Sequence, residues 1–123
     1  MMDESVNTTL SVDLKKYRVR LHKSFLHQMG DPEYVMLLVN KEKRIIAVKA
    51  VEPGMSTKDA HRVNSKTLLS DNSIEIYSGT FVSSLRSLAR NLDHGCSYRL
   101  TGVTVPSENM VMFPLDSLER IER

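Results

Sequence analysis

The sequence predicts a small α+β domain, a β-barrel or sandwich built from two tandem ββαββ-like halves with short helices. Three observations lead there. Short runs of alternating or β-branched apolar residues, separated by turn residues, recur along the chain. Two stretches of helical spacing each follow such a run, and each precedes a further pair of runs. The length of 123 residues suits one domain, whereas a single unit of about 45 residues buries too little apolar surface to stand alone. Two units in one chain can bury each other's apolar faces.

The elements follow in order. Residues 1–8 are polar and slightly acidic and read as a frayed tail. Thr9 to Leu14 alternates as a strand, and Lys15-Lys16 makes a tight connection. Tyr17, Val19 and Leu21 then point one way while Arg18, Arg20 and His22 point the other, because strand side chains alternate. Ser24 suits the N-cap of a short helix carrying Phe25, Leu26 and Met29, which Gly30 and Asp31-Pro32 end. Tyr34 to Val39 and Ile45 to Val51 form a hairpin about the turn Asn40–Arg44, and Pro53-Gly54 closes the first half, 9–53. A connector, 54–73, holds a capping-box spacing at Ser56 and Asp59 with helical turns through Val63, and a short strand at Thr67–Leu69. The second half, 74–114, repeats the plan: a strand Ile74–Tyr77, then a helix capped by Thr80. Phe81, Val82, Leu85, Leu88, Ala89 and Leu92 keep helical spacing until Gly95. A strand Tyr98–Val105, a turn Pro106–Asn109 and a returning strand Met110–Phe113 follow. Residues 115–123 form a short helical or frayed tail.

Composition excludes several classes. Apolar residues make up 41% and charged residues 26%, too apolar for a disordered chain. One cysteine provides neither an intrachain disulfide nor a Cys-based zinc site. The first ten residues lack signal-peptide chemistry, and no run approaches the roughly 18 apolar residues of a membrane span. The expectation is a cytoplasmic protein without membrane contact.

The formal charge of +2 hides an uneven distribution. Residues 1–60 hold ten Lys and Arg against eight Asp and Glu, while residues 61–123 hold seven of each. From Leu14 to Lys23 stand Lys15, Lys16, Arg18, Arg20, His22 and Lys23 with no acid among them. Alternate residues on one strand face lie about 7 Å apart, close to the phosphate spacing of a DNA strand. These six residues are therefore the candidate contacts for double-stranded DNA. The bland counterpart is a solvated edge strand whose lysines block aggregation. Lys41, Lys43 and Arg44 form a second cluster. Arg86 and Arg90, four apart on the polar face of the second helix, are a secondary candidate contact; an ordinary solvated helix face is the competing reading.

Metal and catalytic chemistry lack warrants. His22 and His27 do not have the spacing of a helical ligand pair, His61 stands alone, and His94-Gly95-Cys96 has no partners in sequence. Cys96 follows a helix end, where nothing lowers its pKa. No nucleophile elbow, phosphate-binding glycine loop or paired carboxylates occur. The expectation is a non-enzymatic protein with no cofactor.

The stretch TLSVDLKKYRVRLHKSFLHQMGDPEYVMLLVNKEKRIIAVKAVEP, residues 9–53, resembles the DNA-binding domains of the AbrB/SpoVT transition-state regulators and the MazE-type antitoxins. The resembling parts are a basic strand pair, a short helix closed by Gly, an apolar strand ending in Val-Asn-Lys-Glu-Lys and a final Ile-Ile strand. The resemblance implies swapped hairpins interleaved into one barrel, with basic residues of the early strands on DNA. The second half joins it only through the repeat, which implies an internal duplication. Two departures stand out. The family's Gly-Arg pair before its second strand is Lys16-Tyr17 here, and its Pro before the helix is His22-Lys23. In the second half Ser73, Glu75 and Ser78 stand where the first half has Arg and Lys. The whole chain also looks like uncharacterised proteins of Gram-positive mobile elements.

The resulting expectation is a DNA-binding protein acting as an accessory transcriptional regulator through the basic strand 15–23. The alternative is a protein–protein interaction or scaffold module of the same fold, engaging a protein partner or forming a homodimer. A third, an antitoxin-like partner acting through its tail, has only residues 114–123 to work with.

Overall fold

The structure, a computed structural model, describes residues 7–63, 73–89, 92–93 and 95–121. They form a small, mostly β fold with two helices. The strands are β1 (Asn7–Asp13), β2 (Arg18–His22), β3 (Tyr34–Asn40), β4 (Ile45–Ala50), β5 (His61–Arg62), β6 (Ser73–Tyr77), β7 (Ser97–Val105), β8 (Met110–Pro114) and β9 (Glu119–Arg120). Helix α1 (Lys23–Gln28) follows β2, and α2 (Gly79–Leu88) follows β6. One antiparallel sheet runs in the order β5-β3-β4-β8-β7-β1-β2-β6, with β9 added to β7, and curls into a nearly closed, barrel-like wall.

This order has an internal symmetry. Exchanging β1 with β5, β2 with β6, β3 with β7 and β4 with β8 maps β3–β4 onto β7–β8, β1–β7 onto β5–β3, and β2–β6 and β4–β8 onto themselves; β1–β2 alone among these pairs has no paired counterpart among the described residues. The exchange also swaps α1 with α2. The two hairpins of the first half are not adjacent. The β7–β8 hairpin of the second half stands between β1–β2 and β3–β4.

Local sequence explains the hairpins. All three connections span four residues and end in a left-handed residue: Tyr17 (φ 54), Arg44 (φ 54) and Asn109 (φ 53). Asp13 Oδ1 accepts from the amides of Lys15 (3.0 Å) and Lys16 (3.1 Å), and Asn40 Oδ1 accepts from the Lys43 amide (3.1 Å). These Asx contacts start the first two turns. A bulky residue at positive φ is uncommon. Tyr17 and Arg44 both hold it.

The interior is filled from every strand long enough to alternate. Leu10, Val12, Val19, Leu21, Val35, Ile46, Val48, Leu100, Val111 and Phe113 are buried, with Leu14 from the first turn. Helix α1 inserts Phe25, whose ring stacks on Phe113 at 5.8 Å between centroids. Helix α2 inserts Phe81, Val82 and Leu85, the stripe expected from its spacing. Gly102 lets β7 approach β8: a Cβ there would lie 2.3 Å from the Met112 carbonyl oxygen and 2.6 Å from the Phe113 ring.

Several sequence expectations are corrected. β1 starts at Asn7, and Thr8 is buried beneath its pairing with Gly102, so the tail is shorter than 1–8. Tyr17 does not point inward with Val19 and Leu21. It lies in the turn, 40% exposed. The N-caps are His22 and Ser78, two residues ahead of Ser24 and Thr80. Their side chains reach the Ser24 and Phe81 amides (both 3.2 Å). Helix α2 stops at Leu88, short of Gly95. Ser56–Val63 makes turns and β5 rather than helix, because β5 pairs with Tyr34 and Val35 at the sheet edge. Residues 115–121 form a 3-10 turn (Leu115–Ser117) and β9, since pairing with Tyr98 and Arg99 satisfies their backbone. The strand expected at Thr67–Leu69 lies outside the described residues. Among the described residues, no helix is long and apolar enough to cross a membrane.

Candidate nucleic-acid interface

The basic segment 15–23 does not form one free row of cations. Arg18 and Arg20 do share the outer face of β2, as alternation requires, while Val19 and Leu21 are fully buried. Both guanidinium groups, however, meet acids from neighbouring strands. Arg18 bridges Asp13 on β1 (3.1 Å) and Glu75 on β6 (3.2 Å). Arg20 donates to the same Glu75 oxygen at 2.6 Å. The registers Asp13↔Arg18 and Arg20↔Glu75 set these pairs directly opposite each other, where opposite charges stabilise a sheet. The side chains of Arg18, Asp13 and Glu75 are only 19%, 17% and 16% exposed. The hydrogen bond from Arg20 holds the Glu75 carboxyl below the usual carboxylate range. The charges of Arg18 and Arg20 act in the same direction, against the opposing effect of desolvation.

The ladder continues across five strands. Glu75, Arg20, Ser11, Arg99 and Glu119 stand in successive register on β6, β2, β1, β7 and β9. Arg99 pairs with Glu119 at 3.0 Å. Two acids therefore bracket two bases.

The other predicted residues take different places. His22 caps α1 through Nδ1, which also lies 3.0 Å from the Ser24 hydroxyl. Lys23 is the first residue of α1. Lys15 and Lys16 are exposed at the tip of the β1–β2 turn. Arg86 from α2 reaches this turn: its Nη1 donates to the Tyr17 hydroxyl at 2.9 Å and its guanidinium stacks 5.5 Å from the Tyr17 ring centroid. The structure thus unites Arg86 with Lys15 and Lys16, which sequence spacing keeps apart. Arg90 lies outside the described residues.

Beside the turn runs an open groove of about 420 Å³ lined by Lys15, Lys16, Arg18 and Arg120 against one acid, Asp13, with Cys96 and Ser97 on its floor. It joins a smaller hollow of about 220 Å³ that adds Ser11 and Arg20. Sequence reasoning missed Arg120, which β9 delivers and which also lies 3.9 Å from Asp93. No alternation announces the strand, because Leu118-Glu119-Arg120-Ile121 puts two charged residues in succession.

His61 occupies a different cleft, about 370 Å³, between β3, β5 and the start of α2, together with Asp59, Ser78 and Thr80. Burial lowers its pKa and favours the neutral imidazole. No grouping of three or more His, Cys, Asp or Glu side chains suited to a metal occurs among the described residues. No family model matches the chain, and no curated protein or solved structure matches it significantly.

Proposed function

We propose that the chain is a non-enzymatic DNA-binding module that touches the phosphate backbone of a duplex through the groove beside the β1–β2 turn. The observation that carries this reading is the groove lining, four cations against one carboxylate. Lys15 and Lys16 sit at an exposed tip, and lysines at such a tip meet phosphates without first breaking an internal ion pair. In this reading Arg18 and Arg20 are secondary: they sit on the sheet face, bound to Asp13 and Glu75, and mainly shape the groove wall. The barrel is a single-chain counterpart of the AbrB/SpoVT swapped-hairpin dimer. The matching pairs of the two halves support that origin, β3–β4 with β7–β8 and β1–β7 with β5–β3. So does the pairing of β2 with β6 about Arg20↔Glu75. In two identical chains Arg20 would face its own copy, whereas in one chain the second position is free to become acidic. An accessory role in cytoplasmic transcription follows from the same resemblance.

Fluorescence anisotropy of a random-sequence duplex, titrated with salt, tests the reading. The logarithm of the affinity falls linearly with the logarithm of salt, by about 0.9 per phosphate contacted. Lys15→Ala, Lys16→Ala and Arg120→Ala together reduce both affinity and slope, and the slope by up to about 2.7. Undetectable binding at low salt, or equal binding by the folded triple variant, rejects the proposal.

A further inference from the structure

Because neighbouring strands run antiparallel, the connections of the barrel leave from two ends. One end holds the β1–β2 and β3–β4 turns, helix α2 and the chain between β8 and β9. Outside the strands, and among the described residues, Lys15, Lys16, Lys41, Lys43, Arg44 and Arg86 stand there against Glu42, Asp93 and Asp116. The opposite end, with α1, carries Asp31, Glu33, Glu52 and Glu108 against Lys23. The loop before β5, which lines the cleft of His61, is balanced by Lys58 and Asp59. Charge is therefore divided along the barrel, and one end is basic.

The hairpin turns show the division position by position. All three end in a left-handed residue, and their third residues are Lys16, Lys43 and Glu108. The two lysines stand at the basic end and the glutamate at the other. Lys15, Lys16, Lys41 and Lys43 are exposed, and none of them forms an ion pair among the described residues. Helix α2 braces both lysine turns. Arg86 stacks on Tyr17 of the first and donates to its hydroxyl. Two residues on, the Leu88 carbonyl accepts from Arg44 Nη1 of the second at 2.9 Å, and the Arg44 carbonyl accepts from the Leu115 amide at 3.0 Å. Arg44 and Arg86 thus fix the turns that present the lysines.

We infer that the β3–β4 turn is a second phosphate contact, with Lys41 and Lys43 touching the same duplex as Lys15 and Lys16. The inference rests on the DNA reading above and extends its footprint from the groove across the end of the barrel. In the order β3-β4-β8-β7-β1-β2 the two turns stand four strand spacings apart. Strands about 4.8 Å apart set the turns roughly 19 Å apart along the wall, and less across the barrel mouth. A major groove about 12 Å wide separates the phosphates of the two DNA strands, so one duplex laid over the mouth reaches both turns. Two separate pairs of point-charge cations suit such a regularly charged polyanion.

Salt-titrated fluorescence anisotropy with a random-sequence duplex tests it on three double variants. Lys41→Ala with Lys43→Ala is expected to weaken binding at least about fivefold and to lower the salt slope by up to about 1.8, as Lys15→Ala with Lys16→Ala does. Lys23→Ala with Lys58→Ala removes the same charge away from this end and is expected to stay within about twofold of wild type. Circular dichroism is expected to be unchanged, because the turn lysines are exposed and Asn40 holds its turn through the Lys43 backbone amide. Wild-type affinity and slope in the Lys41 and Lys43 variant, beside a weakened Lys15 and Lys16 variant, overturn this inference and leave the DNA reading standing. An equal loss in the Lys23 and Lys58 variant overturns it as well, since net charge alone then accounts for the effect. Absence of duplex binding by the wild type removes the DNA reading itself, and this inference with it.

Discussion

Glu75 decides what the basic strand can do. One carboxylate oxygen takes Arg20 at 2.6 Å and Arg18 at 3.2 Å, so two of the six predicted DNA contacts are already engaged. Its depressed pKa links this pairing to stability. The contribution is complete above the unfolded value, near 4.5, and is lost as pH falls through the lower folded value. Glu75→Gln is therefore expected to lower the melting temperature at neutral pH. It should also flatten the acid limb of a melting-temperature profile below pH 5, because the variant has no carboxylate there to protonate. The same change removes one negative charge beside Arg18 and Arg20. Duplex affinity at low salt is then expected to rise by about two- to tenfold, with a steeper salt slope. An unchanged affinity would show that Arg18 stays on Asp13 and that neither guanidinium reaches the phosphates. The outward direction of Arg18 and Arg20 was legible from alternation alone. Their neutralisation was not, because Glu75 lies 55 residues from Arg20, and only the sheet order brings β6 beside β2.

Element ends were harder to read than elements. Both helices, the β3–β4 hairpin and β7 follow from apolar periodicity, which tertiary packing enforces. Caps depend on backbone geometry that several nearby polar residues satisfy equally well in sequence. His22 rather than Ser24 caps α1, the place where the resembling family has Pro. An N-cap is worth about 1 kcal/mol. His22→Ala is expected to destabilise by about that amount in urea unfolding, and His22→Asn to restore most of it. Gly102 is a different case: nothing in TGVTV announces that its neighbour's carbonyl and the Phe113 ring lie within 3 Å of any added Cβ. Gly102→Ala must separate β7 from β8 or tilt Phe113 away from Phe25. Overpacking of this kind costs about 1–3 kcal/mol. Urea unfolding of the variant checks the loss, and a change within about 0.5 kcal/mol of wild type would mean that the ring moves aside freely.

At the scale of the whole molecule, the strand order makes the halves interdependent. The first half contributes β1–β2 and β3–β4, but these hairpins never touch as neighbours in the sheet: β7 and β8 separate them on one side, and β6 flanks β2. The second half has the same difficulty, because among the described residues its β6 pairs only with β2, and its β7–β8 hairpin is flanked by β1 and β4. An isolated two-stranded hairpin is marginally stable at best in water. The sequence-level argument that one unit of this size buries too little surface therefore has a structural form. Each half lacks not only a partner for its apolar face but also the strands that join its own pieces into a sheet. Fragments 1–63 and 64–123 are expected to be unfolded separately by circular dichroism. Mixed in equal amounts, they are expected to regain β-structure with a concentration-dependent melting temperature, since association then substitutes for the covalent link. The intact chain should melt in one transition, because losing any hairpin breaks the sheet between the others. A first fragment that folds and melts cooperatively alone would contradict the interleaved order and favour two separable units.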